Sequence, residues 1–217
     1  MTGCCDPREF DAVFTDGYAR RTARRFENAG LDVTARGMVE FLAGQGLRDA
    51  SVLEIGGGVG GLHIELLRSG AAAATNVEIS TTYEAQAERL LADSGFSGSV
   101  DRRIVDIAAD PTSVASADAV VLHRVVCCYP NHSLLLGAAA DKARHMLAFS
   151  YPRAHVLTRA QTAMENLGYW IRGQQFRTFV HSPEAMASVL EEHGFEVADS
   201  GRNLMWEWVG ALRSSGG

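Results

Sequence analysis

A chain of 217 residues with 47% apolar and 21% charged side chains is long enough for one domain with a sizeable core. Its net charge of −6 gives no global attraction to a phosphate backbone, which argues against a nucleic-acid partner. No apolar run approaches the roughly 18 residues of a membrane span, and the start has no basic segment followed by an apolar one, so the expected setting is cytoplasmic, without membrane partner or export.

Residues 7–30 interleave Arg8, Arg20, Arg21, Arg24 and Arg25 with Phe10, Phe14, Tyr18 and Phe26. Phe10, Phe14 and Tyr18 recur at every fourth position, which predicts one helical face. Residues 1–32 therefore form a helical segment ahead of a main domain, 33–213, and Ser214-Ser215-Gly216-Gly217 reads as a flexible tail. A second helix is expected over 33–43, stopped by Gly44 and Gly46. Ser51-Val52-Leu53-Glu54-Ile55 is a β-type run, broken at once by a glycine-rich turn, and helical spacing resumes over 62–68. Strands are expected at 75–79, 100–105, 117–122 and 146–150, and helices at 83–93 and 133–144. Such alternation implies a parallel sheet covered on both faces. After Pro152 the pattern changes. A helix over 158–172, a strand or extended loop at 176–180 and a helix over 183–193 precede two closing strands, 195–199 and 205–212. Ser182 is placed to cap the later helix, with Pro183 at its first position and Gly194 past its end.

The turn Gly56-Gly57-Gly58-Val59-Gly60-Gly61 joins a strand to a helix. Glycines there permit positive φ and close backbone approach to a ligand, and the helix start offers free N–H groups. Gly56, Gly58 and Gly61 also satisfy a dinucleotide fingerprint, with Glu78 near ribose-binding spacing; an NAD(P)-dependent oxidoreductase is thus one reading. Glu54 weighs against it: a carboxylate two residues before Gly56 repels a pyrophosphate but attracts a ligand ammonium.

The run Val52-Leu53-Glu54-Ile55-Gly56-Gly57-Gly58-Val59-Gly60 resembles motif I of class I S-adenosylmethionine-dependent methyltransferases. The resemblance extends over about 33–212, through Glu78, Asp106, Asp118 and the stretch from Ser182-Pro183-Glu184 to Gly194-Phe195. The Arg/aromatic N-terminus and Tyr129-Pro130 are similar to the magnesium-protoporphyrin O-methyltransferase branch. The resemblance implies a Rossmann-like three-layer α/β sandwich. Its seven-stranded, mostly parallel sheet would end in an antiparallel hairpin, with residues 1–32 as a lid. It implies S-adenosyl-L-methionine as cofactor. Glu54, Gly56, Gly57 and Gly58 would face the methionine moiety, and Glu78 would accept from the ribose hydroxyls. Ile79 and Ile107 would flank the adenine and Asp106 would accept from its amino group. His123 would lie near the methionine end, and Tyr18 would reach the cofactor carboxylate. The expected activity is methyl transfer to an oxygen or nitrogen of a small-molecule acceptor. A non-catalytic S-adenosylmethionine-binding protein, monomer or homodimer like the enzyme, is the remaining alternative.

Ligands of open parallel sheets sit outside the carboxyl ends of the strands, so the loops after 122 and 150 should form the acceptor pocket. The [Asn/Asp]-Pro-Pro-[Tyr/Phe] signature of nucleic-acid amino-methylation is absent. Should the acceptor need deprotonation, His123 is the first candidate base, followed by Tyr129 and His181. Each is set against a purely structural role. The four cysteines form two adjacent pairs, Cys4-Cys5 and Cys127-Cys128, without CxxC spacing. They read as small buried hydrophobes, against a thiol cluster for a soft element such as arsenic. No metal site is expected.

Overall fold

The computed structural model describes residues 7–214. They form a seven-stranded sheet in the order β3-β2-β1-β4-β5-β7-β6. Strands β1 (Ser51–Ile55), β2 (Ala73–Glu78), β3 (Val100–Ile104), β4 (Ala117–Leu122) and β5 (Ala143–Pro152) run parallel. Strands β6 (Phe195–Arg202) and β7 (Trp206–Arg213) close the sheet as an antiparallel hairpin, β7 pairing with β5 from Met146↔Leu212 to Pro152↔Trp206.

Alternation along each strand decides the layers. Val52, Ala119, Val121 and Ala148 point to one face, where α3 (Val33–Gly44) and α4 (Gly61–Arg68) cover them. Leu53, Ile55, Val120, Leu122 and Phe149 point to the other, under α6 (His132–Lys142) and α8 (Pro183–Glu192). α5 (Glu84–Ser94) crosses between β2 and β3 and packs on α4. β5 is longer than its apolar centre predicts: it starts at Ala143, directly after α6, and ends at Pro152. Residues 176–180 are extended loop, not strand. α7 (Val156–Ile171) stands between β5 and that loop.

The N-terminal segment differs from the single helix that its aromatic spacing predicts. It is two helices, α1 (Pro7–Val13) and α2 (Asp16–Ala29), broken where Thr15 turns extended and its hydroxyl accepts the Tyr18 N–H (3.4 Å). Phe10, Phe14 and Tyr18 still meet, joined by Phe176 and Tyr83 in tilted and edge-on contacts of 5.3–6.4 Å. Ala19 and Ala23 bury α2 against Val59, Ile64, Leu90 and Leu91. Asp11 pins α1 to the end of β2, accepting from Ser80 Oγ (2.7 Å) and Thr81 N–H (3.1 Å). Asp118 binds β4 to β1 at the amino ends of the two strands, accepting from the Ser51 N–H and hydroxyl.

Candidate active site

Two connected cavities open at the carboxyl ends of β1, β2 and β4. The larger, about 260 Å³, lies between the glycine turn and the α1–α2 segment. The smaller, about 40 Å³, continues toward the ends of β2 and β3. Phe10, Gly56, Glu78, Val125 and Cys128 line both and form the junction.

Gly56, Gly58 and Gly60 take left-handed φ values of 67°, 55° and 89°, which side chains bearing a Cβ resist. Several glycines make room for the protein itself rather than for a ligand. A Cβ on Gly57 would lie 2.0 Å from Asn76 Nδ2, and one on Gly60 would lie 2.5 Å from the His63 ring. Those neighbours form a buried polar cluster under the turn. Glu54, 2% exposed, accepts from the His63 N–H (3.2 Å) and meets His63 Nδ1 at 2.5 Å through the same Oε2. Its Oε1 has no hydrogen bond among the described residues, and Glu54 lines the larger cavity. Asn76 and His63 Nε2 are buried without a hydrogen-bond partner among the described residues, so the trio holds unused donor and acceptor capacity directly beneath the turn.

Glu78 closes the junction. Oε2 accepts the Gly58 N–H (2.9 Å), and Oε1 accepts those of Ile79 (2.8 Å) and Ser80 (3.1 Å). A carboxylate offers about four acceptor positions, so these bonds leave room on Oε2. Burial raises the Glu78 pKa, opposed by the N–H groups of Ser80, Gly58 and Ile79 and by Arg102. Arg102 is itself held by Glu84 (2.7 Å) and the Gly58 carbonyl (3.0 Å). In the smaller cavity, Ile79, Val105 and Ile107 supply apolar walls and Asp106 a polar edge. Asp106 Oδ1 accepts from the Ala108 N–H (3.0 Å), and Oδ2 accepts from the Tyr129 hydroxyl (3.1 Å). A buried carboxylate at the junction, a narrow apolar recess with a carboxylate edge and a free carboxylate oxygen on Glu54 could hold a ribose, an adenine and an ammonium in turn.

The opposite wall is built from distant parts of the chain. Asp32, the N-cap of α3, accepts the N–H groups of Thr34 and Ala35 through Oδ1 (3.0 Å each). Its Oδ2 faces His123 Nε2 (3.2 Å) and Arg124 (2.8 Å). His123 Nδ1 meets Ser150 Oγ at 3.0 Å, and Ser150 Oγ accepts the Arg124 N–H (2.9 Å). The Asp32 carboxylate can only accept, so His123 donates Nε2–H to it, and in the neutral ring Nδ1 then accepts the Ser150 hydroxyl proton. Burial works to raise the Asp32 pKa, but His123, the Ala35 N–H and Arg124 outweigh it and hold the carboxyl well below its usual range. The order Ser–His–Asp has the contacts of a hydrolytic triad, but Ser150 is fully buried and orients the imidazole. Arg124 carries φ 60°, uncommon outside glycine, and is clamped by Asp32 and by the Trp206 face (4.6 Å).

Tyr18, Arg25, Asp32, Glu54, Gly56, Gly57, Gly58, Glu78 and His123 all line the larger cavity. Tyr129 stands in the smaller one beside Asp106. His181 lines neither. Its Nε2–H donates to the carbonyls of Val126 (3.1 Å) and Tyr129 (3.0 Å), fastening the loop after β4, and its ring stacks on Phe179. Asp32 and Arg124 were not singled out as a pair by the sequence; the only signal was that Asp32 precedes a helix as a cap residue does. Cys127 and Cys128 are free thiols with sulfurs 3.7 Å apart. The Cys127 thiol and burial push the Cys128 pKa well up, which keeps it a neutral thiol. Cys4 and Cys5 lie outside the described residues, among which no cluster of His, Cys, Asp and Glu is arranged to hold a metal. No helix among the described residues is long and apolar enough to cross a membrane.

A family model described as a methyltransferase domain matches residues 28–200. No curated protein sequence matches the chain. Magnesium protoporphyrin IX methyltransferase from Synechocystis PCC 6803, solved with bound S-adenosylhomocysteine, aligns with a TM-score of 0.75 at 21% identity, over 96% of this chain and 100% of that one. An O-methyltransferase family protein from Burkholderia thailandensis gives 0.68 at 18% identity, over 93% and 62%. The pyocyanin biosynthetic protein PhzM gives 0.63 at 17%, over 91% and 61%. At these identities the likeness is one of fold.

Proposed function

Because this chain belongs to the S-adenosylmethionine-dependent methyltransferases, we propose that it methylates an oxygen or nitrogen of a small molecule that arrives already deprotonated. Family membership replaces the oxidoreductase and non-catalytic readings. The cofactor supplies an electrophilic methyl on a sulfonium, and the protein's part is proximity, orientation and exclusion of water.

One observation carries the proposal: each carboxylate and imidazole lining the larger cavity is already engaged. Glu54 is bound by His63, Glu78 by three backbone N–H groups, His123 by Ser150 and Asp32, and Asp32 by Arg124 and its helix. Glu54 Oε1 alone is open and would be taken by the cofactor ammonium, so no carboxylate or imidazole among the described cavity residues is left over as a general base. His123 would then be a positioning residue, and Tyr129 and His181 would serve the architecture of the loop. Arg25 and Arg124 line the same cavity and would favour carboxylates, one of the methionine moiety and one of the acceptor. Phe10, Phe14, Tyr18, Phe26 and Tyr83 supply aromatic walls, suited to a planar acceptor. The O-methyltransferase family protein among the neighbours supports oxygen as the target.

The test is methyl transfer to a panel of planar carboxylic acids, phenols and amines, with rate measured against pH. The expected profile follows the acceptor's own pKa. A limb near neutrality that is independent of the acceptor and vanishes in His123→Asn would overturn the base-free reading.

A further inference from the structure

α7 presents its apolar face to the outside. Helices of globular proteins normally turn an apolar stripe of ~100° or more toward the core. Here the inward side carries Thr158, Asn166 and Tyr169: Asn166 exchanges hydrogen bonds with the backbone of Thr178 (2.8 Å each way), and Tyr169 meets Phe176 edge-on at 5.3 Å. The outward side carries Val156, Leu157, Met164, Leu167, Trp170 and Ile171, each more than half exposed, Val156 at 81% and Trp170 at 67%. At 100° per residue these six, with the exposed Ala160 and Ala163 between them, fall in one charge-free sector roughly 140° wide. Leu204, exposed, extends the patch, because its carbonyl is held by Arg153 and His155 at the helix start.

Charge singles out the occupant. Between residues 153 and 177 stand Arg153, Arg159, Arg172 and Arg177 against Glu165 alone, a local charge of +3 in a chain of −6. None of the four arginines forms an ion pair among the described residues; Arg153 and Arg177 donate to neutral carbonyls. A second copy packed on the same face about a two-fold axis would set +3 against +3. An exposed apolar stripe with a tryptophan, flanked by unpaired arginines, matches an anionic lipid surface. We propose that α7 lies in the interface of an anionic membrane and docks the enzyme there peripherally.

The full chain should co-float with vesicles of phosphatidylcholine containing about 30% phosphatidylglycerol, at least tenfold more than with phosphatidylcholine alone, and salt of about 0.5 M should abolish that preference. Trp170 emission should shift to the blue on binding, and Trp170→Phe should remove the shift. Met164→Gln with Leu167→Gln should lose about tenfold in partitioning. Arg159→Gln with Arg172→Gln should lose the anionic preference. All five positions are exposed, so S-adenosylhomocysteine affinity and melting temperature should stay at the parent values, separating loss of docking from loss of the active site. Failure to bind either vesicle, equal binding to both, or a homodimer dissolved by the Met164/Leu167 pair of substitutions would each overturn the proposal.

Discussion

The two walls of the larger cavity are made in different ways. The glycine-turn wall is local: strand β1 ends, the backbone turns through left-handed glycines, and Glu78 on the neighbouring strand collects the N–H groups of Gly58, Ile79 and Ser80. Backbone geometry fixes it, and few side chains could be changed without breaking it. The α3–β4 wall is long-range: Asp32 meets His123 across 91 positions, and Ser150 reaches back 27 to hold the same imidazole. Side-chain pairs fix it, and its chemistry can vary while the sheet stays the same. The first wall therefore suits a ligand common to a whole family, and the second suits an acceptor particular to one member.

The sharpest way to break this division is Glu78→Gln. The amide keeps the volume but presents NH₂ where carboxylate oxygens now accept backbone N–H groups. A buried donor left facing a donor costs about 1–3 kcal/mol. S-adenosylhomocysteine binding should weaken ~10–100-fold, as expected for losing a charge-assisted acceptor, and the melting temperature should fall with it. Calorimetry and a thermal melt read the two losses. Unchanged affinity would mean that Glu78 serves only the turn.

Asp32→Asn addresses the other wall and should act on turnover rather than on cofactor affinity. Asparagine remains a good N-cap, so α3 keeps its start, but the negative charge that receives the His123 Nε2–H and restrains Arg124 is gone. The turnover rate should drop ~10-fold, about 1.4 kcal/mol of lost positioning, while S-adenosylhomocysteine affinity stays within about threefold. The substitution also carries a pH signature. The Asp32 pKa is depressed in the fold, so its contribution to stability is complete above the unfolded value of about 3.9 and is lost as pH falls below it. The difference in stability between parent and variant should shrink on acidification through that range. An equal loss of cofactor binding would merge the two walls into one unit.

The same contrast explains what the sequence reveals. Strand alternation with helices, the turn after Ile55 and the acidic residues 78 and 106 are local patterns, and each stands where its pattern predicts. The hairpin β6–β7 follows from the change of rhythm after Pro152. The break between α1 and α2 escaped because Thr15 competes for the helix through its side chain while the aromatic spacing on either side stays intact. The fastening of His181 and the pairing of His123 with Asp32 escaped for another reason. A histidine's role depends on which groups meet its two nitrogens, and those groups come from loops whose paths no short spacing encodes.

The smallest expected effect belongs to the loop that carries the second wall. His181 is half-buried, beside the His132 ring at 4.6 Å. Burial, then the His132 charge, lower its pKa, against the carbonyls of Tyr129 and Val126, which raise it; burial lowers that of His132. A histidine with a depressed folded pKa binds protons more readily when unfolded, so its stability is intact above about pH 6.5 and erodes as pH falls below that value. The parent should therefore lose melting temperature between about pH 7 and pH 5. His181→Gln keeps an N–H donor for the two carbonyls and removes the titration, so its curve should be flatter over that range, with S-adenosylhomocysteine affinity unchanged at pH 7. A variant equally sensitive to acid would place the sensitivity elsewhere. A variant with weakened cofactor affinity would tie the loop after β4 to the glycine-turn wall, against the division between the two.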